Sequence, residues 1–258
     1  MLLCEEFNEE RLKKGTSIYD VVRIKEGTPL FLEVHLSRLH QSANHIQRKL
    51  WLSDNEIKTK IQQLAQINEV KEGNLKLVFN YFENQETFLA YFVQHQYPSS
   101  EQYQQGVKTV LFQAIRETPN AKIINPWLRS TTDEIKEKTK VYEIILLDRL
   151  GNITEGSRSN IFLIRNNTLF TAPLEDVLPG TARQRVLDIC DRENIRVEEK
   201  RTYFEELPKF DAAFITGTSP MILPISRINS LSMDVKHPLL ERLIKAHDLM
   251  ISNYLRQY

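Results

Sequence analysis

At 258 residues, 41% of them hydrophobic, the chain is long enough to bury a sizeable core as one large α/β unit or as two domains. Lys plus Arg equals Asp plus Glu at 34 each, a balance that points away from nucleic acid and from an anionic membrane as partners. Cys4 and Cys190 lie far apart without metal-like spacing, and no apolar run approaches the roughly 18 residues of a membrane helix. The start, Met1-Leu2-Leu3-Cys4-Glu5-Glu6, turns acidic where a signal peptide is basic and then apolar, so a reduced, soluble, cytoplasmic protein is expected.

Thr16 to Arg23 reads as a strand, Glu26-Gly27-Thr28-Pro29 as a turn, and Leu30 to Val34 as a second strand closing a hairpin. From His35 the period changes: Leu36, Leu39, Ala43, Ile46 and Leu50 fall at helical spacing, predicting a helix from His35 to Leu50. Ser53-Asp54-Asn55-Glu56 fits a capping box and opens a second helix carrying Ile57, Ile61, Leu64 and Ile67. Strands at Leu75–Phe82 and Thr87–His95 follow, joined by Glu83-Asn84-Gln85, giving an α+β layer. Arg38 has two readings: a stem lying over the apolar face, or a fork of donors aimed at a phosphate. His35, His40 and His45 recur every five residues, so they fan around the helix; they read as surface or packing residues, and no metal is expected.

Tyr97 to Gln102 is the most linker-like segment, and Val107 to Ala114 is the next strand. After an irregular link, Arg116 to Asn120, comes Lys122, the lysine set against Ile123, Ile124 and Trp127. Desolvation there favours a nucleophilic amine; alternatively its stem packs while the ammonium reaches water. Lys136, Lys138 and Lys140 belong to a charged helical segment. Tyr142 to Asp148 is a strand, Asp148 to Asn152 a turn, and Ile161 to Ile164 another strand, with Glu155 in the short crossing segment between them.

Thr168 to Ala172 is a strand, and Val177-Leu178-Pro179-Gly180-Thr181-Ala182-Arg183 runs into a helix with Val186, Leu187 and Ile189. Gly180 and Thr181 at that helix start are either a phosphate seat or an ordinary loop-to-helix junction. Ile195 to Thr202 is a strand, Phe204 to Leu207 a helical turn, and Ala212 to Thr216 a buried strand ending in the hydroxyl-rich Thr216-Gly217-Thr218-Ser219-Pro220. Met221–Ile225 and Asn229–Val235 complete the sheet, and His237 to Leu255 is a closing amphipathic helix.

Six segments stand in one order: Gly15 to Arg23, His35 to Ala43, Lys122-Ile123-Ile124-Asn125, Thr154 to Phe162, Leu178 to Arg183, and Thr216 to Ser219. Their order and spacing resemble the class IV aminotransferases, the fold-type IV pyridoxal-phosphate (PLP) enzymes. That family includes branched-chain and D-amino acid aminotransferases and aminodeoxychorismate lyases. The resemblance implies an α/β (α+β) fold with a small N-terminal α/β domain, 1–100, and a larger C-terminal PLP-binding pseudo-barrel domain, 101–258.

It also implies roles. Lys122 is the Schiff-base lysine and Glu155 the partner of the pyridinium nitrogen, which keeps the ring an electron sink. Arg38, the Thr181–Ala182 backbone and Thr218–Ser219 hold the phosphate, with Ser159, Asn160, Gly180 and Gly217 among the cofactor-binding residues. Tyr19 and Trp127 border the substrate pocket. The arginine that binds carboxylates in some members has no equivalent in Leu77 to Phe82, where Asn80 stands, so the resemblance leaves the carboxylate site open and Arg129 and Arg158 are guesses from outside it. The implied activity is transfer of an amino group between an amino acid and a 2-keto acid by a homodimer. A lyase of the aminodeoxychorismate type is the alternative. A third reading, a cofactor-binding homologue without catalysis, rests on Asn80, Ala182 and Pro126, the proline being expected to alter the helix start after Asn125.

Overall fold

The computed structural model describes residues 12, 14–94, 97–116 and 118–257; Cys4 and His95 of the expectations above lie outside them. The described chain divides into two compact units, one comprising Met1–Val93 with Ala121–Ile124 and the other Gln94–Asn120 with Asn125–Tyr258. Among the described residues no helix is long and apolar enough to cross a membrane.

The first unit holds β1 (Thr16–Lys25), β2 (Thr28–Pro29), α1 (Leu32–His45), α2 (Asp54–Ile67), β3 (Gly73–Phe82) and β4 (Gln85–Val93). Its antiparallel sheet runs β2-β1-β3-β4. Strand β3 is covered on both faces, so its alternation sorts residues between two cores rather than between core and water. Leu75, Leu77 and Phe79 join Leu36, Leu39 and Ile57 of the helices, while Val78 packs with Tyr19. Helix α2 starts as expected, with Ser53 and Glu56 each bonding the other's backbone N–H.

The segment Leu30–Val34 is not a strand. Only Thr28 and Pro29 pair with β1, and α1 begins at Leu32. A short apolar run cannot by itself be told from a buried helical segment, and here Leu32, Leu36 and Leu39 bury at helical spacing.

The second unit contains α3 (Ser100–Gln105), β5 (Val107–Gln113), α4 (Pro126–Thr139), β6 (Glu143–Leu147), β7 (Asn152–Gly156), β8 (Asn160–Arg165) and β9 (Thr168–Thr171). It continues with α5 (Thr181–Arg192), β10 (Arg196–Glu199), β11 (Thr202–Tyr203), β12 (Ala212–Gly217), β13 (Met221–Ile228), β14 (Leu231–Ser232) and α6 (Pro238–Leu255). The sheet path β8-β12-β13-β5-β6-β7 closes on itself because β7 also pairs with β8, through Glu155 opposite Asn160. A closed sheet has no exposed edge along that ring of strands.

Alternation along the barrel strands is clean. Ile161, Leu163, Ala213 and Ile215 face one core; Phe162, Ile164 and Phe214 face another shared with Val186 of α5 and Leu240 and Leu243 of α6. The rings of Phe162 and Phe214 stack at 5.0 Å between centroids.

Two further expectations change. Glu155 lies within strand β7 rather than in a crossing turn; Ile153 and Glu155 take the inward positions, and a carboxylate in an apolar slot hides the alternation. Pro126 does not disturb its helix: it occupies the first position of α4, where its missing N–H would be unpaired anyway, and Asn125 caps the N–H of Leu128 at 3.0 Å.

Candidate functional site

In the first unit, residues 122–124 run antiparallel to β1. Tyr19 N–H donates to the Lys122 carbonyl and Ile124 N–H to the Ser17 carbonyl, each at 3.0 Å, and Ile18 bridges Ile123. Lys122 N–H donates to Ser42 Oγ at 3.2 Å. The backbone of Lys122 is therefore fixed from two sides, while its half-buried side chain sets Nζ 5.2 Å from the centre of the Tyr19 ring. An aromatic face attracts an ammonium at that range.

Beside it on β1, Asp20 is fully buried and takes the Arg38 guanidinium in a two-point grip, Nε to Oδ2 at 2.8 Å and Nη2 to Oδ1 at 2.5 Å. His35 Nδ1 stands 2.9 Å from Asp20 Oδ1. Burial alone would raise the Asp20 carboxyl, yet Arg38 and His35 outweigh it and hold it well below the usual range. Burial also pushes His35 below its ordinary value, against the pull of Asp20. A neutral His35 then gives its Nδ1–H to Asp20, which fixes the tautomer. His40 instead pairs with Asp54 at the surface.

In the second unit, Glu155 is 3% exposed. Its Oε2 accepts from Leu178 N–H at 3.1 Å and, weakly, from Asn160 Nδ2 at 3.5 Å. Asn160 Nδ2 also donates to the Leu178 carbonyl at 3.0 Å. Gly180 is required at its position because a Cβ there would stand 2.0 Å from Asn160 Oδ1. Arg116 Nε lies 2.8 Å from Glu155 Oε1 as an ion pair that misses the hydrogen-bond direction.

The serines of the following turn are held by a second buried acid. Glu143 Oε1 accepts from Ser157 Oγ at 2.6 Å and Ile144 N–H at 2.8 Å; Oε2 accepts from Ser159 Oγ at 3.0 Å. Lys136 of α4 pairs with the same carboxylate at 3.1 Å. Burial would raise Glu143, but Lys136 and these donors leave it below its ordinary value. The Ser159 hydroxyl is thus engaged by Glu143.

Helix α5 starts at Thr181 with Gly180 as its cap and, among the described residues, no side chain bonded to its first N–H groups. Unpaired N–H groups at the positive end of a helix dipole suit an anion. Gly217, Thr218 and Ser219 form the end of β12 and the turn after it. The neighbouring Thr216 hydroxyl is buried and has no hydrogen-bond partner among the described residues. A buried carboxylate, an uncapped helix start and an orphaned hydroxyl fit a phosphorylated pyridine. Among the described residues no group of His, Cys, Asp and Glu is placed to hold a metal ion.

The remaining candidates are placed differently. Trp127 is 62% exposed on the first turn of α4. Arg158 pairs with Asp133, and Arg129 is exposed on α4. Asn80 donates to the Lys14 carbonyl and to Ser17 Oγ, a structural tie. Sequence reasoning passed over Asp20, Glu143 and Arg116. The first two carried a signal, a lone acid in an apolar strand that must find partners once buried; Arg116, in an irregular link, carried none.

Residues 17–228 match the family model described as Amino-transferase class IV. A D-alanine aminotransferase of Bacillus licheniformis is 29% identical over 227 residues, 83% of this chain and 80% of that protein. An aminodeoxychorismate lyase of Bacillus subtilis (strain 168) is 24% identical over 235 residues, 84% of this chain and 79% of that protein. The PLP-bound form of a hypothetical aminotransferase from Mycobacterium tuberculosis superposes with a TM-score of 0.81 at 16% identity, covering 97% of this chain and 94% of that one, a likeness of fold. The chain belongs to the class IV aminotransferase family, whose members are PLP-dependent aminotransferases and lyases.

Proposed function

We propose that this chain is a PLP-dependent aminotransferase that moves an amino group between an amino acid and a 2-keto acid. The observation that carries the reading is the buried Glu155 carboxylate, pinned by the N–H of Leu178 in the loop that leads into the uncapped start of α5. The bound cofactor supplies an electron sink that acidifies the substrate's Cα–H. Glu155 holds the proton on the ring nitrogen. Lys122 would attach the cofactor through its Nζ, and its amine would hold and move a proton at the substrate's Cα as base and acid. The Thr181 and Ala182 N–H groups, Thr218, Ser219 and Arg38 bind the phosphate. Ala182 needs no hydroxyl for this, since its backbone N–H belongs to the helix start. Gly180, Gly217, Ser159 and Asn160 shape that seat, and Tyr19 and Trp127 belong to the substrate side. The protein acts as a homodimer.

The lyase reading keeps the same cofactor residues and differs in the substrate, so turnover separates the two. Keto acid formed from an amino acid with a keto acid acceptor supports the aminotransferase; pyruvate released from aminodeoxychorismate supports the lyase. Absence of both reactions from a PLP-loaded protein supports the third reading, although Asn80 and Pro126, which motivated it, have local structural explanations. The core test is the visible spectrum of the purified protein before and after borohydride. A yellow band that reduction converts into a stable adduct on Lys122 is expected, and a colourless protein that cannot be reconstituted ends the proposal. Glu155→Ala should keep cofactor attached through Lys122 while slowing turnover by about 100-fold or more, the scale of losing one preorganised electrostatic partner.

A further inference from the structure

Glu155 does not stand alone with neutral donors. Arg116, in the link after β5, brings its Nε to 2.8 Å from Oε1, with the two side chains 15% and 4% exposed. Its Nη2 donates to the Ser157 carbonyl at 2.9 Å, so the same guanidinium touches β7 and the turn that follows it. The other carboxylate oxygen is held from a different element by Leu178 N–H at 3.1 Å. The two oxygens are therefore fixed by two separate segments, which sets the plane of the carboxylate as well as its position. A buried carboxylate with neutral donors alone is costly to keep charged, whereas a guanidinium stays charged at every working pH.

We propose that Arg116 is the positioning residue for Glu155, keeping its carboxylate charged and turned so that it can serve the ring nitrogen of the cofactor. The inference rests on the reading of Glu155 as the ring partner. It assigns to Arg116 no contact with substrate; Arg116 acts through Glu155. Because the ion pair misses the hydrogen-bond direction, its contribution is mainly charge, and a lysine at this position should serve in part.

The test is a double-mutant cycle on the full chain with Arg116→Gln, Glu155→Gln and the pair combined, plus Arg116→Lys. Two readouts are taken: the urea midpoint without added PLP, and the dissociation constant for PLP by equilibrium dialysis with the absorption band of the bound form. Arg116→Gln should lower the midpoint, weaken PLP binding on the order of tenfold and move the band, the loss expected when a charged pair is broken. In the Glu155→Gln background the same substitution should change little, and Arg116→Lys should recover most of the PLP affinity and the band position. Equal effects of Arg116→Gln in both backgrounds would mean that it acts through Ser157 alone, and overturn the proposal. PLP affinity and band unchanged in Glu155→Gln would instead overturn the ring-partner reading, a failure visible only with PLP present. Should Arg116→Gln alone fail to fold, it is expected to fold in the Glu155→Gln background, where no unpaired buried charge remains; failure to fold in both backgrounds is then the overturning result.

Discussion

Asp20 and Glu155 are both carboxylates buried on inward positions of strands, and both meet an arginine, yet the two regions treat the charge differently. In the first unit, one guanidinium grips both oxygens of Asp20, with Val21 N–H at 2.7 Å and His35 adding to Oδ1. In the second, Arg116 approaches one oxygen of Glu155 off the hydrogen-bond direction, and backbone and amide donors take the other. A two-point fork fixes acid and base to each other. Donors spread over separate elements fix a carboxylate in space without locking it to one cation. The first arrangement is suited to holding Arg38 still; the second is suited to presenting a charge.

Breaking the tighter pair should have the largest effect. Asp20→Ala leaves a buried guanidinium and a buried imidazole without their anion, and should cost about 3–5 kcal/mol of stability in urea unfolding. His35 sharpens this through pH. Its folded value lies below the ordinary one because of burial, so the unfolded chain binds the proton more readily. Its contribution is complete above the unfolded value of about 6.5 and declines as pH falls below it. The Asp20 contribution runs in the same direction but is lost only at much lower pH, since its folded value is depressed far below the usual range. The wild type should therefore begin to lose stability as pH falls below about 6.5, and His35→Gln should remove that early loss while leaving the loss from Asp20 at lower pH.

Glu143 tests the dispersed arrangement, in which several donors share one acid. Glu143→Gln keeps the shape but removes the charge facing Lys136 and trades two acceptor oxygens for one, and should cost about 2 kcal/mol. Its folded value is lowered, so the stability it supplies is present above about 4.5 and lost as pH falls through the folded value. The variant should therefore differ from wild type at pH 7 and converge with it in acid. A constant gap at all pH values would assign the loss to packing instead of charge.

Sequence legibility followed how local each determinant is. The start of α2 was readable because Ser53 and Glu56 satisfy each other within one turn, and the barrel strands β8 and β12 because period-two alternation survives on both faces. The start of α1 was not, since Leu30 to Val34 suits either strand or helix: Leu30 N–H still donates to the Arg23 carbonyl of β1, and the chain turns into α1 only at Phe31, in the left-handed region. Among the site candidates, Glu155, Thr181 and Thr218 are proposed from order and spacing, whereas the strand setting of Glu155 is hidden by its own charge in an apolar slot. The pairing of Asp20 with Arg38 and of Arg116 with Glu155 depends on which strand lies beside which helix or loop, and no local pattern encodes that.

Thr216 marks the weak end of the comparison. Its hydroxyl is fully buried at the end of β12, with Asn160 opposite it on β8, and has no hydrogen-bond partner among the described residues. An unpaired buried hydroxyl is a liability to folding, unlike the Asp20 carboxylate, which is surrounded by donors. Replacing it by a methyl group of similar size removes that liability, so Thr216→Val should leave stability without PLP unchanged or raise it by up to about 1 kcal/mol. If the hydroxyl contributes to the phosphate seat beside Gly217 and Thr218, the same variant should bind PLP severalfold more weakly. Stability that holds or rises while PLP affinity falls would mark a polar group retained for the ligand at the expense of the fold; a loss of stability would place an unrecognised partner on Thr216 and bring it into line with Asp20.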